Sequence, residues 1–235
     1  MKGMINKGRT ARVRGRKLST RVKTAKGRKT SSTRWLQRQL NDPYVAEAKR
    51  LGYRSRAAFK LIELDDQFDF LRPGLRVIDL GAAPGGWTQV VIERVTAGNQ
   101  VEKHLIVSLD IQPIAPLVGV TLIERDFLAE DTPDILRVAL DGSADVVLSD
   151  MAASTTGHKS TDHIRIMSLL ETTVDFTYKV LSPGGTFVGK VLKGGTENAL
   201  LSKMKQRFES VRHAKPPASR DGSAESYVVA RGFRA

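Results

Sequence analysis

With 235 residues and 40% hydrophobic content, the chain can bury the core of one sizeable α/β domain and little else. It contains no cysteine, which excludes disulfides and thiolate metal sites and fits a reducing, cytoplasmic setting, and no apolar run reaches transmembrane length. A net charge of +13 calls for a polyanionic partner. Nucleic acid comes before an anionic membrane surface, because no basic amphipathic helix stands out.

Residues 1–31 form a distinct segment. Lys2, Lys7, Arg9, Arg12, Arg14, Arg16, Lys17, Arg21, Lys23, Lys26, Arg28 and Lys29 recur through it, and the first acid of the chain is Asp42. So few apolar residues cannot offset the entropy of ordering the segment. It reads as a disordered basic arm that adds phosphate contacts on RNA. A solvated tail without a role is the plainer alternative. A transit peptide is a minor one, because the arm is Arg-rich and acid-poor but has no clear amphipathic face. The domain proper then covers residues 32–235.

A helix is expected over 35–51, interrupted at Asp42-Pro43, where Asn41 or Asp42 caps a new first turn and Gly52 ends the segment. A second helix is expected from Ser55 to Phe68. Arg54, Arg56 and Lys60 crowd its start, where cations oppose the helix dipole, so an RNA phosphate is the expected counter-charge. Leu75, Val77, Ile78 and Leu80 form a short apolar run typical of a buried parallel strand. It ends in small residues, Gly81, Ala82, Ala83, Gly85 and Gly86, with Pro84 among them, and Trp87, Thr88, Val90, Val91 and Val95 then begin a helix. Strand, glycine turn and helix form the nucleotide-like site of open α/β folds. The spacing is neither G-x-G-x-x-G nor a P-loop, which argues against NAD and against nucleotide hydrolysis.

Further strands are expected over 104–109, 118–124, 145–148, 186–191, 209–214 and 226–230. Helices are expected over 131–140, with Asp131 or Thr132 as cap, from Thr161 to Leu181, and over 196–208. Ile164, Met167, Leu170, Val174, Tyr178 and Leu181 keep helical spacing and read as core. Pro183-Gly184-Gly185 reads as a turn, residues 152–163 and 216–223 as loops. Alternating strands and helices imply a mainly parallel sheet covered on both faces. Asp110, Asp126 and Asp150 each follow a strand. On a parallel sheet all three share the edge of the glycine turn, which a small-molecule site explains better than three separate helix caps. His104, His158, His163 and His213 have no ligand spacing, so no metal is implied.

These residues carry a resemblance. Asp79-Leu-Gly-Ala-Ala-Pro-Gly-Gly-Trp87 is similar to the cofactor motif of the FtsJ/RlmE family of ribosomal RNA 2′-O-methyltransferases. The likeness runs from about Ser32 to Phe233. It also takes in Ser32-Thr-Arg-Trp-Leu36, Tyr53-Arg-Ser-Arg-Ala-Ala-Phe-Lys60, Val147-Leu-Ser-Asp-Met-Ala152, Pro183-Gly-Gly-Thr-Phe-Val-Gly-Lys190 and Glu225-Ser-Tyr-Val-Val-Ala230. The resemblance implies a Rossmann-like, seven-stranded methyltransferase sheet with its last strand antiparallel. The implied cofactor is S-adenosyl-L-methionine, held by Gly81, Ala82, Pro84, Gly85, Gly86, Trp87, Asp110, Asp126, Phe127 and Asp150. Gly85 and Trp87 would line its methionine end, Asp110 its ribose and Asp126 its adenine edge. The implied catalytic tetrad is Lys60, Asp150, Lys190 and Glu225, with Arg54, Arg56, Lys60 and Lys193 on the RNA. The implied substrate is a uridine ribose of large-subunit ribosomal RNA, within the ribosomal particle, met by a monomer with no membrane partner. The chain departs from the family at Asp150-Met-Ala-Ala153, where a proline commonly follows Met-Ala, and in the loop from Ser154 to His163.

Methyl transfer to a ribose hydroxyl is an in-line displacement, and the cofactor supplies the activated carbon. The protein must align the hydroxyl and take its proton or stabilise the alkoxide charge that develops. Lys190, inside an apolar strand, is the candidate for that role, with Lys60, Asp150 and Glu225 positioning it and the ribose. Two other readings stay open on the sequence: a non-catalytic RNA-binding protein on a decayed methyltransferase fold, which the complete tetrad disfavours, and the same chemistry on transfer RNA or a messenger cap.

Overall fold

The apolar runs pair into one seven-stranded sheet of order β3-β2-β1-β4-β5-β7-β6. Its strands are β1 (Val77–Leu80), β2 (Ile106–Asp110), β3 (Val120–Glu124), β4 (Ala144–Ser149), β5 (Leu181–Leu192), β6 (Phe208–Ala214) and β7 (Glu225–Phe233). The computed structural model describes residues 20–22, 27–96, 105–153, 157–192, 198–220 and 222–235, without the side chains of 159, 160, 162 and 163. β1 to β5 run parallel, and β7 lies antiparallel between β5 and β6. The expected fold class holds.

The helices are α1 (Thr30–Asn41), α2 (Pro43–Leu51), α3 (Ala58–Phe68), α4 (Gly86–Thr96), α5 (Thr132–Leu140), α6 (Lys159–Val180) and α7 (Asn198–Arg207). The strand period of two divides the core. Ile78 and Leu80 point to a cluster with Leu136, Leu140, Met167, Leu170, Val174 and Met204 from α5, α6 and α7. Val77 points to the opposite cluster, with Leu61 and Leu64 of α3 and Val90 and Val91 of α4. All four residues of β1 are buried, as a central parallel strand covered on both faces requires.

Several boundaries differ from expectation for identifiable reasons. Pro183, Gly184 and Gly185 lie within β5: Ala144 pairs with Leu181 but Val146 with Thr186, so 182–185 bulge out and pairing resumes. Asp131 precedes α5 without a side-chain cap bond because its carboxylate pairs with Arg125. Ile164 is 67% exposed, although Met167, Leu170 and Val174 of its stripe are buried. Asp42 caps α2 as expected, accepting from the Tyr44 N–H, with Pro43 in the first turn and Gly52 at φ 82° ending it. The expected arm lies largely outside the described residues. Its last two positions, Thr30 and Ser31, begin α1, and Thr20 and Val22 hydrogen-bond to Gln37 and Asn41 of that helix. His104, Lys193 and Thr196 lie outside the described residues, as do 154–156 of the expected loop; from Lys159 on, that stretch already belongs to α6, two residues earlier than expected.

Candidate active site

Strand register gathers the site. Antiparallel pairing sets Lys190 opposite Tyr227 and Leu192 opposite Glu225. Period two puts Glu225 and Tyr227 on one face. Ser149 pairs with Gly189, so Asp150, one residue further, arrives beside Lys190. Helix α3 covers this face with Ala58, Leu61 and Leu64 turned inward, and Lys60 enters from the same side.

The four expected tetrad residues meet at this corner. Lys190 Nζ donates to Asp150 Oδ1 at 3.1 Å and to the Asp150 carbonyl. Lys60 Nζ pairs with Glu225 Oε1 at 2.7 Å and stands 4.0 Å from Asp150 Oδ2. The two pairs are joined by a residue for which no role was expected, Tyr227. The Tyr227 hydroxyl donates to Asp150 Oδ1 at 2.8 Å, accepts from Lys60 Nζ at 3.3 Å and lies 3.2 Å from Glu225 Oε1. Alternation reads Tyr227 as core, and its ring is indeed fully buried. The available signal was its spacing, two residues after Glu225 on the same strand face. Side-chain exposures of 10% for Lys60, 14% for Lys190, 17% for Asp150 and 19% for Glu225 leave the network partly dry but reachable.

The charges are mutually supporting. Burial pushes the Glu225 carboxyl up, but the Lys60 ammonium, then Lys190 and the Ser219 hydroxyl, outweigh it, so Glu225 titrates below the ordinary glutamate range. Burial and the neighbouring Asp150 and Glu225 carboxylates push the Tyr227 hydroxyl far up, so it stays a neutral hydrogen-bond donor. Trp87 supports this floor. Its ring lies 5.7 Å from the Tyr227 ring and its Nε1–H donates to the Ala57 carbonyl at 2.8 Å. Trp87 is 3% exposed, so its indole packs beneath the corner.

The glycine turn beside this corner is tightly filled by the protein. A Cβ on Gly81, at φ 75°, would sit 2.8 Å from Met151; one on Gly85, at φ 106°, 2.9 Å from Arg54 Nη1; one on Gly86, 2.3 Å from Ser55 Oγ. The glycines are therefore required first by packing and backbone conformation. Asp110 sits at the end of β2 as expected, accepting from the Ala83 N–H at 2.9 Å and the Gln112 N–H at 2.8 Å. Asp126 is exposed after β3 and accepts from the Leu128 N–H. The ring of Phe127 is buried edge-on against Phe176 at 5.5 Å, which leaves only its main chain for a ligand.

Asp79, beneath the turn, is fully buried. One carboxylate oxygen accepts from the Thr88 hydroxyl at 2.7 Å, and the other has no partner among the described residues. Burial above all pushes its pKa to about 7; the Thr88 bond opposes the shift and the Asp150 and Asp110 charges add to it. In a chain of net charge +13, Asp79, Asp110 and Asp150 lie close enough to interact, with Asp126 at the next strand end. Such a donor set fits a cationic ligand, as S-adenosylmethionine is through its sulfonium and ammonium groups.

The basic residues near α3 are held internally. Arg54 donates to the Pro84 and Ala115 carbonyls through one nitrogen and to the Pro116 carbonyl through the other, tying the glycine turn to the segment after β2. Arg56 pairs with Asp42 at 2.9 Å, donates to the Ala218 carbonyl and lies over the Tyr44 ring. Lys60 is engaged by Glu225. Asp42 and Glu225 thus give Arg56 and Lys60 a counter-charge within the chain, whereas Arg54 is held by neutral carbonyls alone.

Comparison with known proteins gives a consistent result. The profile of the FtsJ-like methyltransferase family matches residues 53–233. The chain is 64% identical over 219 residues to Ribosomal RNA large subunit methyltransferase E of Paramagnetospirillum magneticum, spanning 93% of this chain and 90% of that one. It is 58% identical over 231 residues to the protein of the same name from Rhodospirillum rubrum, spanning 96% and 88%. Among solved structures, a Plasmodium falciparum protein described as a ribosomal RNA methyltransferase superposes with a TM-score of 0.66 at 30% identity, over 77% of this chain and 98% of that one.

Proposed function

The chain belongs to the FtsJ-like methyltransferase family, and from that premise we propose that it transfers a methyl group from S-adenosylmethionine to the ribose 2′-hydroxyl of a uridine in large-subunit ribosomal RNA. The observation that carries the reading is the corner where Lys190–Asp150 and Lys60–Glu225 meet through Tyr227, next to the acid-lined glycine turn. The bound cofactor supplies an electrophilic methyl on a sulfonium. The hydroxyl oxygen would take that carbon from the sulfur, and the chain's own task would be to accept the hydroxyl proton or offset the charge it leaves.

Lys190 stands at the atom where that charge develops, as the base or as the cation that stabilises the alkoxide. Asp150 fixes the Lys190 ammonium through its carboxylate and carbonyl. Glu225 and Tyr227 hold Lys60 against the same carboxylate, so the two cations are kept in a fixed arrangement in which they would meet the ribose. Asp110 is suited to the cofactor ribose. A cytoplasmic monomer acting on the ribosomal particle is part of the proposal, as are the basic arm over 1–31 as an RNA contact and residues 32–235 as the catalytic domain. The family relatives' names and the net charge of +13 support the RNA substrate.

The test is mass mapping of ribose methylation in large-subunit RNA from cells with and without the protein. One ribose methyl is expected to disappear with the protein and return with the intact chain. An unchanged map would refute the reading.

A further inference from the structure

Helix α1 is unlike the rest of the molecule. None of its residues is buried, and Trp35 and Leu40 are 51% and 52% exposed. The segment Thr30–Asn41 contains no acid, and Lys29, Arg34 and Arg38 lie on or beside it. At 100° per residue, Arg34, Arg38, Ser31 and Trp35 fall on one side, and Asn41 and Gln37, which bind the backbone of 20–22, lie next to it beyond Arg34. Neither Arg34 nor Arg38 has an acidic partner among the described residues. A shallow groove runs along this side past Ser31, Ser32, Trp35 and Arg38. This is the basic amphipathic helix that was not evident in the sequence.

α1 is also anchored to the mouth of the catalytic corner. Asp42, between α1 and α2, pairs with Arg56 at the start of α3 and with Arg220 at 3.3 Å, in the loop that leads to Glu225. The helix, about 18 Å long at 1.5 Å per residue, thus projects from both segments that frame Lys60 and Glu225.

We propose that α1 is an RNA-docking helix: the Trp35 indole stacks on an unpaired base of the RNA strand next to the target ribose, while Arg34 and Arg38 hold its phosphates. RNA as the occupant rests on the function proposed above. Independently of that function, charge complementarity favours it, because a face with cations and no acid fits a polyanion and a large exposed indole fits any base. The proposal differs from a generic basic surface in requiring an aromatic contact.

The chain has two tryptophans, and Trp87 is buried, so quenching of exposed indole emission reports on α1. The probe is a short single-stranded RNA of mixed sequence, titrated into the full chain without cofactor. RNA is expected to quench the wild type and not Trp35→Phe. Trp35→Ala should weaken binding roughly tenfold, and the Arg34→Gln, Arg38→Gln double variant should lower the salt slope by about 1.4. Alanine favours helix more than tryptophan, so unfolding of α1 does not mimic the result, and unchanged S-adenosylmethionine affinity by calorimetry controls for the domain. Absent quenching, or wild-type affinity in Trp35→Ala, overturns the proposal. So does a blue shift with phosphatidylglycerol vesicles that RNA does not match, which would make α1 a membrane-surface helix. If ribosomal RNA methylation fails while the oligonucleotide still quenches Trp35, the reaction proposed above falls and the docking helix stands.

Discussion

The catalytic corner and α1 are both rich in cations, and the fold treats them in opposite ways. Lys60 and Lys190 are nearly buried and tied to Glu225 and Asp150. Arg34 and Arg38 are exposed, with no acid on their helix. Net charge alone does not distinguish the two. Partners do: paired, half-dry cations are positioned for one atom of a substrate, whereas unpaired surface cations collect phosphates at any spacing. Arg56 belongs with the first kind despite its sequence context, because Asp42 and the Ala218 carbonyl already hold it.

The sharpest contrast lies in what happens when a charge is left alone in the dry corner. Asp79 is the natural case. Its carboxyl pKa is raised from 3.8 to about 7 in the folded chain. The folded state therefore favours the protonated form, and the associated stability is full below pH about 4 and is lost as pH rises towards 7. Asp79→Asn should remove a loss of about 4 kcal/mol across that window, seen as a flatter stability–pH curve in denaturant titrations. A parallel curve for wild type and variant would mean that Asp79 ionises normally.

Asp150→Ala comes next. It leaves Lys190 without its carboxylate and the Tyr227 hydroxyl without its acceptor. Removing one member of a partly buried charge network should cost about 3 kcal/mol in chemical denaturation and slow methyl transfer as well. The smallest effect belongs to α1: Arg34→Gln with Arg38→Gln should change stability by less than about 0.5 kcal/mol, because both side chains are exposed, and should act only on RNA binding. A large loss of stability there would erase the distinction between the two regions.

Much of this was legible in the sequence. The short apolar runs marked β1, β2 and β4 because a central parallel strand buries both faces; β3 and β6, at the sheet edges, carried a weaker apolar signal. Asp42-Pro43 gave the α1–α2 break because capping is local. The tetrad was legible only as a resemblance, since Lys60, Asp150, Lys190 and Glu225 are brought together by strand register and by α3 crossing above. Tyr227 was hidden because a tyrosine in an aliphatic strand looks like core, and its ring is core; only its hydroxyl reaches the charges. The internal partners of Arg54 and Arg56 were hidden because they are carbonyls and a carboxylate from distant segments. Only the first turn of α1 was hidden, because Thr30, Ser31, Ser32 and Thr33 look like loop; the rest belongs to the helix expected over 35–51.

In the proposed reaction Lys190, held by Asp150, would face the reacting hydroxyl. This central claim is tested most directly by single-turnover transfer of labelled methyl from saturating S-adenosylmethionine to ribosomal particles, comparing wild type with Lys190→Ala. The lost interaction belongs to the transition state, so the rate should fall roughly a hundredfold to ten-thousandfold while cofactor affinity stays close to wild type. A near wild-type rate in Lys190→Ala would contradict the claim.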